Sequence, residues 1–343
     1  SGQARAVHHI ESPAMISLCR KSNVRDIDTL IAVVSVIRPG AANEQKKQQF
    51  TRRYQGIEPV TYPHPSLKSC LRATFGMIIY EEQVLQVCDA FASMSPGDAD
   101  RLRRALNKRD WDKVRDLGRR FWTSARACGH AEEEIKTVWL FLCGFNGFSF
   151  CKAHSAAYGV EAYQGAWMKS YFPAEFMAAV LTNGKGFYSP LVYVLECHRL
   201  GFRMLQPCVN DPGPGYRVRD GNRIRVPLSR IKGLNVRLQK RVLRERRCNA
   251  FASLHDFLRR ARPCREEAEL LLRAGTLDIF ADRTPDGGIS RTPLFWDIQW
   301  LTGTSATDIL GQPSLLADRA DHPRPAVSLT EPTRVEQLPA EAD

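Results

Sequence analysis

No stretch of the chain approaches the ~18 consecutive apolar residues that a membrane span needs. The longest apolar run, Leu30 to Ile37, is interrupted by Ser35. The first residues lack the basic-then-apolar pattern of a secretory signal. Ten cysteines stand at positions 19, 70, 88, 128, 143, 151, 197, 208, 248 and 264, and no two have the C-x(2–4)-C spacing of a zinc site. The expectation is reduced, mostly buried thiols in a cytoplasmic protein with no membrane contact and no metal ligated by its own residues. No internal repeat of fixed period is present. Acidic residues are also short: 37 Asp and Glu face 49 Lys and Arg, for a formal charge of +12. That imbalance favours a polyanionic partner. What remains is ordinary globular composition, 43% hydrophobic and 25% charged, which excludes a wholly disordered chain. A length of 343 residues suggests two domains, each able to bury a core.

The positive charge is clustered. Arg101 to Arg126 holds ten basic and three acidic residues, and Arg223 to Arg265 holds fourteen basic residues against Glu245 and Asp256. Ala306 to Asp343 reverses the sign, with seven acids, three arginines and five prolines. Such a tail reads as disordered or as a linker. Two dense basic clusters point to phosphate contact more than to solvated surface.

Helical periodicity dominates. Residues 26–37 form an apolar helix that stops at Arg38-Pro39-Gly40, and 81–94 places Val84, Val87, Cys88 and Phe91 on one side. Thr74 to Tyr80 is ambiguous between a strand and a buried turn. Ser95-Pro96-Gly97-Asp98 is a helix start with a Ser cap, Pro at the first position and an acid at the third. The helix it opens carries Arg101, Arg104 and Lys108 on one face. Further helices are expected over 131–142, 155–170 and 173–181, with short ones through 223–280.

The segment Gly147-Phe148-Ser149-Phe150-Cys151-Lys152-Ala153-His154-Ser155-Ala156-Ala157-Tyr158 delivers Lys, His and Ser onto the first turn of a helix. Free N–H groups and the helix dipole favour an anion there. By itself the pattern is more often an ordinary helix start. The segment resembles the fingers domain of the bacterial DNA polymerase III alpha subunits, the C family of DNA polymerases, in its Y-G-F-x-K-x-H-S-x-A-Y run. The family's Y-P-A-E-F-M-A-A segment is matched by Tyr171-Phe172-Pro173-Ala174-Glu175-Phe176-Met177-Ala178-Ala179. Upstream, Ile10-Glu11-Ser12-Pro13-Ala14-Met15, Arg38-Pro39-Gly40, Tyr80-Glu81-Glu82-Gln83-Val84 and Ala99 to Lys108 are similar to its other finger motifs, in family order. Gly186-Phe187-Tyr188-Ser189 and Cys208-Val209-Asn210 look closer to the error-prone subgroup.

The resemblance implies a mainly α fold: a helical fingers domain over 1–205, tandem helix-hairpin-helix elements over 206–300, and the tail over 301–343. It implies a DNA-directed DNA polymerase, a nucleotidyltransferase of replication or error-prone repair. Lys152, His154 and Ser155, with Arg38, Arg101, Arg104 and Lys108, would hold the triphosphate of a dNTP and nearby template backbone. Cations placed around phosphates suit phosphoryl transfer. Tyr80 and Tyr158 would flank the nascent base pair, or serve as core aromatics. Ile231-Lys232-Gly233-Leu234 and Leu272 to Asp278 resemble the hairpins, giving Arg230, Lys232, Gly233, Arg237, Lys240 and Arg241 as backbone contacts on primer-template DNA. Asn235 replaces the second hairpin glycine and would have to accept a left-handed backbone. In the tail, Gln312, Leu315 and Leu316 resemble a sliding-clamp motif.

The two D-x-D patterns, Asp26-Ile27-Asp28 and Asp98-Ala99-Asp100, are accounted for by helix starts. By the resemblance, the carboxylates that bind paired Mg²⁺ belong to a palm upstream of the fingers. A polymerase fragment with no catalytic residue of its own, working with other polymerase domains or subunits, is therefore the expectation. The alternatives are a non-catalytic DNA-binding module and, more weakly, an RNA binder using the aromatic turn at 145–150.

Overall fold

The structure, a computed structural model, describes residues 2–37, 44–145, 151–284 and 287–302. Arg38, the turn at 146–150 and the tail, including Gln312, Leu315 and Leu316, lie outside the described residues. The chain forms two compact units, Ser1–Tyr171 and Phe172–Asp343. Among the described residues there are fifteen α-helices and five short strands, and none of the helices is long and apolar enough to cross a membrane.

The first unit is all helical: α1 (Pro13–Lys21), α2 (Ile27–Val36), α3 (Glu44–Tyr54), α4 (Lys68–Leu71), α5 (Glu81–Ala92), α6 (Pro96–Lys108), α7 (Trp111–Ala127), α8 (Glu132–Cys143) and α9 (Lys152–Tyr171). The start signals act as the sequence predicts. Ser95 Oγ accepts the Asp98 N–H at 3.2 Å, and Asp26 caps α2 by accepting from Thr29 N at 2.7 Å. Leu102 and Leu106 of α6 join Phe91, Phe121, Ile135 and Leu142 in one fully buried core spanning α5 to α8. The ambiguous 74–80 segment is a buried turn, with Phe75 and Gly76 both left-handed (φ 52° and 77°). The Gln83 amide holds it. Its oxygen accepts from Ile79 N and Tyr80 N at 2.8 and 3.0 Å, and its nitrogen donates to Cys70 O and Thr74 Oγ1 at 3.2 and 2.7 Å. A buried amide with both ends satisfied fixes the chain reversal ahead of α5.

Helix α9 crosses α2 at Gly159, where a Cβ would lie 2.4 Å from Ile31 Cγ1. Glycine is what permits that approach. The opposite end of α9 is tied down by Lys169, whose ammonium donates to the Gln3 and Arg5 carbonyls at 3.0 and 2.7 Å.

The second unit contains α10 (Pro173–Asn183), α11 (Pro190–Arg199), β1 (Arg203–Leu205), β2 (Arg217–Arg219), β3 (Arg223–Arg225), α12 (Val236–Cys248), α13 (Leu254–Ala261), α14 (Arg265–Arg273), the hairpin β4 (Asp282–Arg283) and β5 (Ile289–Ser290), and α15 (Thr292–Thr302). Strand β3 lies between β1, to which it is parallel, and β2, to which it is antiparallel. The sequence predicts no strand here, because three-residue segments are too short to show an alternating pattern. Ile224 is fully buried at the centre of this sheet. The helices α12 to α15 pack around Leu238, Val242, Phe257, Leu271 and Ile298.

Arg217 stands opposite Arg225 across β2 and β3, a repulsive register that Asp211 offsets. Its carboxylate accepts from Arg219 Nε at 2.8 Å and from Arg225 Nε at 3.2 Å. Burial alone would raise the Asp211 carboxyl, and the two guanidiniums more than reverse this, leaving it below its ordinary value. Because the folded value is lowered, the stabilisation is complete above the unfolded value of about 3.9 and is lost as pH falls through the folded one. Asp211→Ala is expected to cost about 2 kcal/mol at neutral pH, since two arginines are left without their partner. In urea unfolding followed from neutral pH to below pH 4, the difference between wild type and variant should shrink toward acid.

All ten cysteines are free thiols, as expected, but they are not mostly buried: only Cys88 and Cys197 are, while Cys128, Cys248 and Cys264 are exposed. Burial pushes Cys19 up to about 11 and Cys88 up to about 12, so both stay protonated and unreactive near neutral pH.

Candidate nucleotide and nucleic-acid surfaces

The anion-attracting start of α9 is present, and a protein carboxylate sits on it. The Lys152 N–H points between the two oxygens of Glu82, at 3.0 and 3.1 Å. The Lys152 ammonium lies 5.9 Å from the centre of the Tyr80 ring. Glu81, next to Glu82 in the first turn of α5, accepts from Arg103 of α6 at 2.6 Å. The first turn of α5 therefore joins the start of α9 to α6. Arg101, Arg104 and Lys108 all lie on the exposed part of α6. Arg101 pairs with Asp98 at 3.2 Å and Arg104 with Asp100 at 2.7 Å, both guanidiniums about two-thirds exposed. Exposed pairs of this kind hold their arginines weakly and leave them available to a phosphate.

Three of the expected contacts have other surroundings. Ser155 is fully buried, and its hydroxyl donates to the Cys151 carbonyl at 3.4 Å. In this arrangement it is internal to the helix and does not face a phosphate. Tyr80 is 4% exposed, and its hydroxyl hydrogen-bonds with Ser35. Burial chiefly raises the Tyr80 hydroxyl above its ordinary value. It is a core aromatic beneath Lys152. Tyr158 is half-buried, with His154 against one side at 4.0 Å between ring centres and His9 stacked on it at 3.8 Å.

In the second unit, Gly233 takes the left-handed conformation a hairpin needs, φ 84°. Asn235 does not. Its φ is −65°, and it serves as the cap of α12, its side-chain oxygen accepting the Arg237 N–H at 2.8 Å. The replaced hairpin glycine has thus become a helix cap, and one N–H that a phosphate would use is already paired. Asn210, in the motif shared with the error-prone subgroup, brackets Phe251 with two hydrogen bonds of 2.8 Å and is structural.

The expected cations of this region divide in two. Arg230 donates to the Leu181 and Thr182 carbonyls at 2.6 and 3.2 Å. Arg241 donates to Ala261 O and Arg262 O at 2.9 and 3.0 Å. Both satisfy carbonyls at helix ends, α10 and α13, that the sequence alone does not bring near them. The side chains of Lys232, Arg237 and Lys240 are exposed and have no protein partner among the described residues. The sequence reading misses Arg244 and Arg247, which continue the row. Positions 237, 240, 244 and 247 follow the i, i+3, i+7, i+10 spacing of one helix face and are all exposed. Arg244 pairs with its neighbour Glu245, at 3.0 Å.

The described carboxylates near these cations do not fit a two-metal catalytic pair. Asp26 is a helix cap, Asp98 and Asp100 pair with arginines, and Glu81 and Glu82 are held by Arg103 and the Lys152 N–H.

Residues 1–129 match the model of the bacterial DNA polymerase III alpha subunit finger domain, and residues 201–285 match that of a helix-hairpin-helix motif. The chain is 33% identical over 282 residues to a DNA polymerase III subunit alpha of Aquifex aeolicus, covering 81% of this chain and 24% of that protein. With the protein of the same name from Thermus aquaticus it shares 35% over 292 residues, 82% of this chain and 24% of the relative. An error-prone DNA polymerase of Symbiobacterium thermophilum is 30% identical over 303 residues, 81% of this chain and 28% of the relative. The chain thus spans about a quarter of the length of the curated relatives it matches.

Proposed function

Since the chain belongs to the family of bacterial DNA polymerase III alpha subunits, we propose that it supplies the DNA-holding and nucleotide-holding part of a DNA-directed DNA polymerase. On this reading residues 1–205 are the fingers, 206–300 the helix-hairpin-helix region, and 301–343 a tail whose Gln312, Leu315 and Leu316 dock on a sliding clamp. The observation that carries the proposal is the open row of cations on α12. Arg237, Lys240, Arg244 and Arg247, with Lys232 on the hairpin, follow a duplex backbone without reading bases. Lys152 and the cations of α6 then take the triphosphate of a dNTP. Divalent metal ions, when bound, would supply charge neutralisation at those phosphates, and carboxylates other than the engaged ones described here would have to hold them. The described acids beside these cations are already engaged, so the chain alone is proposed to be inactive in primer extension.

The experiment is a salt titration of binding to primer-template DNA. Removing one phosphate-neutralising cation should lower the log–log salt slope by about 0.9. Replacing Arg237, Lys240, Arg244 and Arg247 together by glutamine should reduce the slope by roughly 3.6 and weaken binding on the order of a hundredfold at low salt. Arg241→Gln, which unties α13, should change stability and leave the slope nearly intact. Unchanged DNA affinity in the four-residue variant contradicts the proposal. Stronger binding of single-stranded RNA than of duplex favours an RNA partner instead.

One observation favours a second reading, a DNA-binding module that takes no nucleotide. Glu82 already caps α9, while the α12 row is open.

A further inference from the structure

Three groupings among the described residues bring three metal-ligating side chains within 4.8 Å of one another: Glu81 with Glu82 and Cys151, His64 with His130 and Glu134, and His8 with His9 and Glu161. The first is ruled out by its partners, since Arg103 and the Lys152 N–H hold the two carboxylates. The second is the looser set: His64 Nε2 lies 3.7 Å from Glu134, beyond hydrogen-bond reach, and His64 Nδ1 is engaged by the Ser66 N–H at 3.2 Å.

In the third grouping two histidines face the two oxygens of one carboxylate at hydrogen-bond distance. His8 Nδ1 lies 2.9 Å from one oxygen of Glu161, and His9 Nε2 lies 3.0 Å from the other. Two adjacent residues reach one carboxylate because His9 is left-handed, φ 65°, which turns consecutive side chains to the same side. The His8 ring stacks on His9 at 4.1 Å, and His9 stacks on Tyr158 at 3.8 Å, so the rings are oriented in advance. Ligand bonds of 2.0–2.1 Å in tetrahedral geometry place donor atoms roughly 3.3 Å apart. The two nitrogen-to-oxygen separations are within a few tenths of an ångström of that spacing, and an entering ion displaces the ring protons that now face Glu161.

We propose that His8, His9 and Glu161 form a site for one divalent transition-metal ion of the zinc type, which clasps the entry segment of the first unit onto α9. Two imidazoles and a carboxylate select zinc, cobalt or nickel over magnesium. The remaining coordination positions go to water. Glu161 sits nine residues beyond Lys152 at the start of α9, about 13 Å along the helix. It complements Lys169, which holds Gln3 and Arg5 further along the same helix. Its role is to order the entry segment, apart from phosphoryl transfer and independent of whether the chain binds nucleotide.

The test is titration of the metal-stripped full chain with CoCl₂, followed by visible absorption, and with ZnCl₂, followed by calorimetry and thermal unfolding. One equivalent should bind with a cobalt spectrum lacking a thiolate charge-transfer band, which separates this site from the ten cysteines. Zinc should raise the unfolding temperature. Glu161→Gln, which conserves shape, and His8→Ala should each weaken binding by roughly tenfold or more, and His64→Ala should leave it unchanged. Absence of uptake, a thiolate-type spectrum, or equal affinity in a folded Glu161→Gln variant overturns the proposal.

Discussion

Gly159→Val is expected to destabilise the first unit by about 3 kcal/mol, lowering its unfolding temperature by roughly 6–12 °C. The new Cβ would lie 2.4 Å from Ile31 Cγ1 and 3.1 Å from Ile31 Cα. The first clash is relieved by trimming a side chain. The second is with backbone, so the helices themselves must part. Ile31→Ala in the Gly159→Val background should therefore restore only part of the stability. Gly159→Ala should show a smaller effect in the same direction, since it brings the same Cβ without the branch. Differential scanning calorimetry of the three variants measures this. A fully neutral Gly159→Val variant would mean that α2 and α9 do not cross at this point. The consequence reaches the candidate nucleotide surface, because α9 begins at Lys152.

The sequence makes Gly159 look like a liability, a glycine inside a helix at a cost of about 1 kcal/mol against alanine. Only the crossing partner explains it, and partners distant in sequence are what periodicity does not report. The same limit separates the legible cations from the others. Arg101, Arg104 and Lys108 are readable as one helix face because local spacing sets exposure, and they are exposed. Arg230 and Arg241 look like their neighbours in sequence, yet their guanidiniums bind the carbonyl ends of α10 and α13. Glu82 is the sharpest case. The pattern at Lys152 predicts an anion-binding helix start, and a carboxylate seventy residues upstream sits there. Asn235 shows the reverse, where the residue type is legible but its backbone is not: a cap side chain removes the need for a left-handed turn. Helix starts such as Ser95 and Asp26 are readable directly, because a cap and its N–H are three residues apart.

The second large effect concerns the start of α9, and it has two opposite signs. Lys152→Ala should weaken triphosphate binding about tenfold or more, because a charged hydrogen-bonding partner contributes about 1.5–3 kcal/mol. Glu82→Gln should strengthen it several-fold. The carboxylate now shares the Lys152 N–H with any incoming phosphate, and removing its charge removes a like-charge competitor. Ser155→Ala should leave affinity nearly unchanged, because its hydroxyl is buried against Cys151 O.

The most direct measurement is therefore the equilibrium affinity of a labelled dNTP for the full chain bound to primer-template DNA, compared across wild type, Lys152→Ala and Glu82→Gln at one salt concentration. The polymerase reading predicts binding that falls in the first variant and rises in the second. DNA binding with no dNTP affinity in any of the three, or with one that both variants leave unaltered, contradicts it and leaves a DNA-holding module built on α12.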